Sequence, residues 1–479
     1  MYATAFPVLG IFLLLLPAIV TAQDATSVLS ASAKVMGTEN LRTIQYSGSG
    51  FSFTFAQAAT PGGPWPRFGV KTYTREIDFA APASRVQLVR SSIDKRGGGG
   101  VGLPVVDQTQ NQFILPNAAW TQQVDIWITP HGFLKATAAR RPTVKTERVR
   151  GRNYNVVTFT ENKYTVRGYI NDQNLVERVQ TWIEHPAAGD LLIEATYSDY
   201  KDFGGIKFPA KIVQAQGGHP VLDLTVTDVK PNVPVNIQAP QGGRGGGGAA
   251  AAQQPVTVRS IKVDDGLFYL IGGTNNSIAV EFKDYFVMIE APQNGERAAA
   301  FLAEVKKLFP NKPLKYVINT HHHFDHSGGI RAFAAEGATI ITHRLNKPYY
   351  EKALTGPRTL VPDTLMKSGK KMVFETMGDK KVLTDGMRTI EIHVVKDSPH
   401  TDGTVMAYLP KEKILVEADL FDMAGPGVPA VTEGPGTAAN MVDNIERLKL
   451  DVQKLMPVHA PDVVPVEDLY KAAGRTRNR

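Results

Sequence analysis

Between residues 320 and 329 the chain reads Thr-His-His-His-Phe-Asp-His-Ser-Gly-Gly, a stretch whose residue types and spacing amount to chemistry on their own. His321 and His323 lie two apart at the end of an apolar run, Leu314 to Asn319. In extended backbone both imidazoles project to one side and can converge on one cation. Asp325 and His326 follow closely enough to address a second cation nearby. Neutral imidazole and carboxylate oxygen suit zinc; manganese, iron and cobalt accept the same donors and stay open. The 479 residues include no cysteine, which removes thiolate ligands, a cysteine nucleophile and disulfides together. Gly328-Gly329 is expected to let the backbone pass close to the metals as the next helix begins.

Rigid elements must hold such a turn. Leu267 to Ile271 and Ser277 to Phe282 read as strands joined through Gly272-Gly273, and Tyr285 to Ile289 as a third. A helix is predicted from about Glu296 to Leu308, then the strand Leu314 to Asn319 delivers the histidines.

The run Thr320 to Gly329 resembles the signature of the metallo-β-lactamase fold superfamily. Further along, Ser398-Pro399-His400-Thr401, followed by Thr404 to Leu409 and Pro410, is similar to the family's third-histidine segment. Ile414-Leu415-Val416-Glu417-Ala418-Asp419 is similar to the strand that ends in its bridging carboxylate. Met456-Pro457-Val458-His459-Ala460 resembles its closing histidine, with Ala where Gly is usual, and Glu290 stands where members usually carry Asp. The resemblance spans about residues 258–470 and implies an α/β fold, a four-layer αββα sandwich. It implies two Zn2+ per chain: His321, His323 and His400 on one, Asp325, His326 and His459 on the other, Asp419 bridging. Two cations roughly 3.5–4 Å apart would lower the pKa of a bridging water enough to give hydroxide near neutral pH, with Asp325 and Asp419 as the catalytic residues that orient it. The implied activity is hydrolysis of an ester, lactone, thioester or amide in a small-molecule substrate. Two alternatives stand beside it: an iron-dependent oxidoreductase, persulfide dioxygenase-like, of the same fold, and an apolar-ligand binding or carrier protein with structural metals. His322 and His343 are the remaining histidines that could approach the site; His393, between Ile392 and Val394, reads as structural, and Tyr349 and Tyr350 as packing or surface.

The first half is different. All four tryptophans precede residue 239, whereas eight of the 11 histidines follow it. Leu222, Leu224 and Val226 alternate with polar residues, as do Ile193, Ala195 and Tyr197, the period of half-buried strands. Only Ala25 to Met36 reads as helical, so residues 23–235 are predicted to form a mainly antiparallel β domain with one covering helix. Tyr197 to Asn232 resembles the curved half-barrel of periplasmic lipoprotein carriers. No convergent group of acids, bases or ligands is found there by spacing. Trp65, Trp120, Trp127 and Trp182 read as core, and the basic run Arg140 to Arg152 as a solvated edge. Gly97 to Gly100 lacks a following Gly-Lys-Ser/Thr and reads as a loop, not a phosphate cradle.

Residues 236–257, rich in Gly, Ala and Pro, cannot pack a core and read as a linker, and residues 471–479 as a basic tail. Residues 1–22 carry no charge, have an apolar centre at Ile11 to Leu16 and end in Val-Thr-Ala, which reads as a cleaved signal peptide and predicts an exported, periplasmic or secreted protein. Membrane contact is expected only if that segment stays uncleaved. The net charge of +7 comes without a basic, aromatic-interleaved tract, so no nucleic acid partner is expected.

Overall fold

The structure, a computed structural model, describes residues 24–94, 96, 106–238, 256–421 and 435–477. The signal segment, the Gly97 to Gly100 run, most of the linker (239–255) and the last two residues of the tail lie outside it. No helix among the described residues is long and apolar enough to cross a membrane.

Residues 43–231 build an eleven-stranded sheet, antiparallel at every pairing. From Thr43–Phe53 the chain steps outward to an edge at Gln108–Ile114, crosses to the opposite edge at Thr143–Val149, and returns hairpin by hairpin until His219–Pro231 pairs with Thr43–Phe53. Strand Gly189–Phe203 shows the expected alternation, with Leu191, Ile193, Ala195 and Tyr197 all buried. The basic run accordingly lies on and beside an edge strand, where Arg140 pairs with Glu161 and Arg152 with Glu177.

Three helices cover the apolar face, not one: Ala25–Met36, Trp120–Trp127 and Pro130–Ala138 all contribute to the same core. The second and third are eight and nine residues long, too short for helical period to stand out. Their local signal is Thr129-Pro130: the Thr129 hydroxyl accepts the Gly132 N–H at 3.2 Å and Pro130 occupies the first turn, where a missing N–H costs nothing. Trp127 is buried in this core, Trp120 stacks on Tyr164, and Trp65 stacks on His219. Trp182 lines a 370 Å³ hollow with Asp190 and Pro357.

The second half is the αββα sandwich. One sheet has seven strands, Arg259–Asp264 through Val373–Met377, antiparallel up to Phe286–Ile289 and parallel thereafter. The other has six, Lys380–Thr384 through Val464–Pro465. The central strands, such as Phe286–Ile289, Val405–Leu409 and Ile414–Glu417, are buried on two faces and read as near-unbroken apolar runs, whereas the edge strands Arg259–Asp264 and Lys380–Thr384 are mostly exposed or half-buried and more polar. Phe286 and Met288 face the helix side, packed with Phe301 and Val305 of Gly295–Leu308 and Phe333 of Ile330–Glu336. Val287 and Ile289 face inward, packed with Ile392, Val405, Val416 and Met456 of the second sheet. Beyond that sheet, Met406 and Leu455 meet Met441 and Ile445 of Pro435–Leu448 and Leu469 of Val466–Ala472.

The two domains are joined by specific backbone contacts. The Asp190 N–H donates to the Pro357 carbonyl at 2.7 Å, and Arg358 donates to the carbonyls of Pro186 and Ala187. Gly189, at φ +77°, is needed there twice over, since a Cβ would fall 2.2 Å from the Pro357 oxygen.

Candidate metal centre

The ligand candidates all sit at strand ends along one edge of the sandwich. Leu314–Ile318 delivers His321, His323 and the one-turn helix Phe324–Ser327 that carries Asp325 and His326. His400 precedes Val405–Leu409, Asp419 follows Ile414–Glu417, and His459 follows Lys454–Pro457. Asp419 at φ +61° and Glu290 at φ +77° both hold the left-handed backbone that L side chains rarely adopt, a cost that structures retain at functional sites.

The structure brings all seven candidates together. One ligand atom from each of His321, His323, His400 and Asp419 lies within 4.8 Å of the others, and the same holds for Asp325, His326, Asp419 and His459, so Asp419 belongs to both sets. The His400 Nε2 is 3.0 Å from His323 Nδ1 and 3.3 Å from His321 Nε2, and His459 Nε2 is 3.3 Å from His326 Nε2. Four imidazole nitrogens surround the Asp419 carboxylate at 2.8 to 3.5 Å. Even so, neither of its buried oxygens accepts a hydrogen bond.

For His326 and His459 the outward-facing ring nitrogens explain why, and His323 is held in the same way. His326 Nδ1 is 2.5 Å from Glu290 Oε2, His459 Nδ1 2.8 Å from the Thr274 carbonyl, and His323 Nε2 2.9 Å from the Ala58 carbonyl. Those oxygens only accept, so each ring keeps a proton on the outer nitrogen and leaves the inner nitrogen as the one that can face a cation. Lone pairs and carboxylates converging in a buried space repel unless a cation lies among them, and this donor set fits zinc or a similar divalent ion. Burial, reinforced by His326, pulls the His321 imidazole down to about 4, and burial beside His400 and His321 holds His323 well below its usual range. Both are thus neutral, as ligation requires. His326 goes the other way: burial opposes its charge, but Asp419, Asp325 and Glu290 outweigh that and hold it well above 6.5. A proton there and a metal ion are competing counter-charges for the same carboxylates.

The other histidines stand apart from both sets. The His322 ring packs on Tyr349 with Nδ1 3.3 Å from the Thr401 hydroxyl, His343 lies against Gly403, and His393 approaches Glu391 at 3.0 Å on its strand. Tyr350 is buried, its hydroxyl between Asn319 and the His321 carbonyl. The expectation for Gly328-Gly329 needs correction. What crowds Gly328 is the Gln293 carbonyl, 1.9 Å from where its Cβ would be, and what crowds Gly329 is the Ala298 Cβ at 3.0 Å together with the Ala291 carbonyl at 3.1 Å, so the glycines fit the turn against the 291–293 backbone and the helix that follows it.

Spacing finds no convergent acids, bases or ligands in the first domain and leaves its role open; the structure brings two other groups of that domain to the site. The loop 54–66, between Thr43–Phe53 and Arg67–Asp78, lies over the ligands. Besides the Ala58 contact, Gln57 Nε2 donates to Asp325 Oδ1 at 2.9 Å. A backbone carbonyl and a lone glutamine have no sequence signature, so nothing in the chain announces them.

Residues 270–459 match the family model described as Metallo-beta-lactamase superfamily. Two curated relatives are the 2,4-dinitroanisole O-demethylase subunit alpha of Nocardioides sp. (strain JS1661), 26% identical over 35% of this chain and 45% of its own, and the linear primary-alkylsulfatase of Pseudomonas sp. (strain ATCC 19151), 20% identical over 42% and 44%. The chain thus spans less than half the length of either. Among solved structures, the metallo-beta-lactamase of Pontibacter korlensis is 18% identical over 47% of this chain and all of its own, with a TM-score of 0.36; that of Hirschia baltica is 20% identical over 46% and 99%, with a TM-score of 0.34. With the ligand geometry and the sandwich around it, the family match makes the second domain of this chain a member of the metallo-β-lactamase superfamily.

Proposed function

We propose that the chain is an exported metal-dependent hydrolase that holds two zinc ions and cleaves an ester, lactone, thioester or amide bond in a small molecule. The observation that carries this reading is Asp419, a buried carboxylate shared by two complete ligand sets. Bound there, a pair of divalent cations supplies Lewis acidity to the scissile group and brings the pKa of water toward neutrality. The chain's own part is placement. His321, His323 and His400 would hold one ion and Asp325, His326 and His459 the other, with outer hydrogen bonds fixing the rings beforehand, so little reorganisation accompanies reaction. The side chains of Asp325 and His459 keep 21% and 19% exposure while those of His321, His326, His400 and Asp419 keep none, so substrate and water approach from the Asp325 and His459 side. Asp325 is therefore the carboxylate best placed to accept a hydrogen bond from the attacking water. The names of both curated relatives describe a group carried on oxygen, which puts oxygen esters first in the order of test.

Metal analysis of the purified protein should give close to two zinc ions per chain, and a panel of chromogenic esters, lactones, thioesters and cephalosporins should yield a turnover that chelation abolishes. Iron with oxygen consumption, or stoichiometric zinc with no turnover on any substrate class, would overturn the reading. Export rests on the uncharged segment 1–22 and is checked by sequencing the mature N-terminus.

A further inference from the structure

We propose that the first domain is a working part of the metal centre: Gln57 is a positioning residue for Asp325, and the Ala58 carbonyl sets the tautomer of His323. This rests on the metal reading above and adds to it a role for residues outside the superfamily match.

His323 has two ring nitrogens with opposite tasks. Nδ1 faces His400 Nε2 at 3.0 Å inside the cluster, and Nε2 faces the Ala58 carbonyl at 2.9 Å. A carbonyl cannot donate, so the proton resides on Nε2 and Nδ1 presents its lone pair to the cation. The comparable partners of His326 and His459, Glu290 and Thr274, come from the second domain. For His323 the partner is contributed from 265 residues away.

Gln57 does the same for a carboxylate. Its side chain is buried, and its Nε2, which only donates, meets Asp325 Oδ1 at 2.9 Å. That occupies one oxygen and leaves Oδ2, the atom that stands 3.5 Å from His326 Nε2, facing the cluster. The reverse amide orientation would set oxygen against carboxylate, so the hydrogen-bond network fixes the assignment.

The loop that carries both groups is held on either side of them. Phe55 packs on Trp65, His185 and, edge-on, Phe324. On the other side the Ala59 carbonyl accepts from the Thr401 hydroxyl at 2.9 Å and the Asp402 N–H at 2.8 Å, and the Thr60 hydroxyl donates to Asp402 at 2.7 Å. Because Thr401 follows His400 directly, the loop ties the His400 segment to the His323 and Asp325 turn, and so links the edges of the two sheets.

The test uses the full-length protein and two variants, Gln57→Met, which keeps length and packing without the donor, and Gln57→Ala. Zinc affinity is read by chelator competition and ligand geometry by the visible spectrum of the cobalt(II)-substituted protein. Both variants should bind one of the two ions about tenfold more weakly and alter the bands of that ion alone. Gln57→Met with wild-type affinity and spectrum would overturn the proposal while leaving the metal reading intact. Wild-type protein that binds no divalent ion would overturn both. Should the Gln57 variants fail to fold, Phe55→Leu, which loosens the loop from outside the ligands, must show the same spectral change or the proposal fails.

Discussion

His326 Nδ1 and Glu290 Oε2 stand 2.5 Å apart, and both side chains are fully buried. The other carboxylate oxygen of Glu290 accepts the Thr320 N–H at 2.7 Å. The two oxygens accept from both donors and keep one His326 proton on Nδ1, so Nε2 is the nitrogen that binds a cation once the cation displaces the proton the carboxylates favour there. In Glu290→Gln the oxygen must stay with Thr320, so the amide NH₂ faces His326 and forces its proton onto Nε2. Zinc binding at that site should weaken by about 10 to 100-fold, measured by metal content after dialysis and by chelator competition. Wild-type affinity in Glu290→Gln would falsify the tautomer argument.

Asp419 is the residue whose loss should do most harm, because both ligand sets use it. In Asp419→Ala the two ions should no longer bind as a pair, and turnover should fall by about a thousandfold or more. Chelation of the wild-type should do likewise, reversibly. It should also lower the melting temperature, since ligand at about a hundred times its Kd stabilises by about 2.7 kcal/mol per site. Differential scanning fluorimetry with and without zinc checks this: the shift should be present in the wild-type and much reduced in Asp419→Ala.

Legibility follows the range of the interaction. The string from His321 to His326 is local, and a strand end suffices to converge it, so spacing alone exposes it. His400, Asp419 and His459 lie far along the chain and become legible only through the family pattern; the geometry then sets them around the same carboxylate. In the first domain, alternation at Ile193, Ala195 and Tyr197 and at Leu222, Leu224 and Val226 reveals the sheet, because one face is buried and the other is not. The helices Trp120–Trp127 and Pro130–Ala138 are hidden by their length, and the first also by β-favouring Trp, Val and Ile, which tertiary burial overrides. Gln57 and Ala58 act through one amide and one backbone carbonyl, groups present throughout any chain, so nothing short of the fold could single them out.

Gly168 tests the packing of those unforeseen helices. It lies on Tyr164–Ile170 directly under Phe133 of Pro130–Ala138, and a Cβ there would come within 2.2 Å of the ring. Overpacking of this kind typically costs about 1–3 kcal/mol. Gly168→Ala should therefore melt several degrees lower, while Phe133→Leu in the same background should recover part of the loss. No change in melting on Gly168→Ala would mean the helix does not seat as described.

His131 gives the first domain an acid sensitivity with a definite sign. It is buried between Met36 and Phe208, its ring stacked on Phe208 with Nε2 3.2 Å from the Met36 carbonyl. Burial, aided by Lys135 and opposed by the Met36 carbonyl, lowers its pKa to about 4. In the unfolded chain a histidine titrates near 6.5, so between those values the unfolded state binds the extra proton. The stability that the neutral ring allows is complete above about pH 6.5 and is lost as pH falls toward 4, by about 3 kcal/mol in full. His185, half-buried at the domain junction and also lowered to about 4, chiefly by desolvation, acts with the same sign. His131→Gln keeps a polar group for Met36 but cannot titrate. In urea titrations of the chelated protein at about pH 7.5 and pH 4.5, the variant should be less stable than wild-type at the higher pH and lose less on acidification. Parallel losses in the two proteins would show that His131 is not a source of the acid sensitivity.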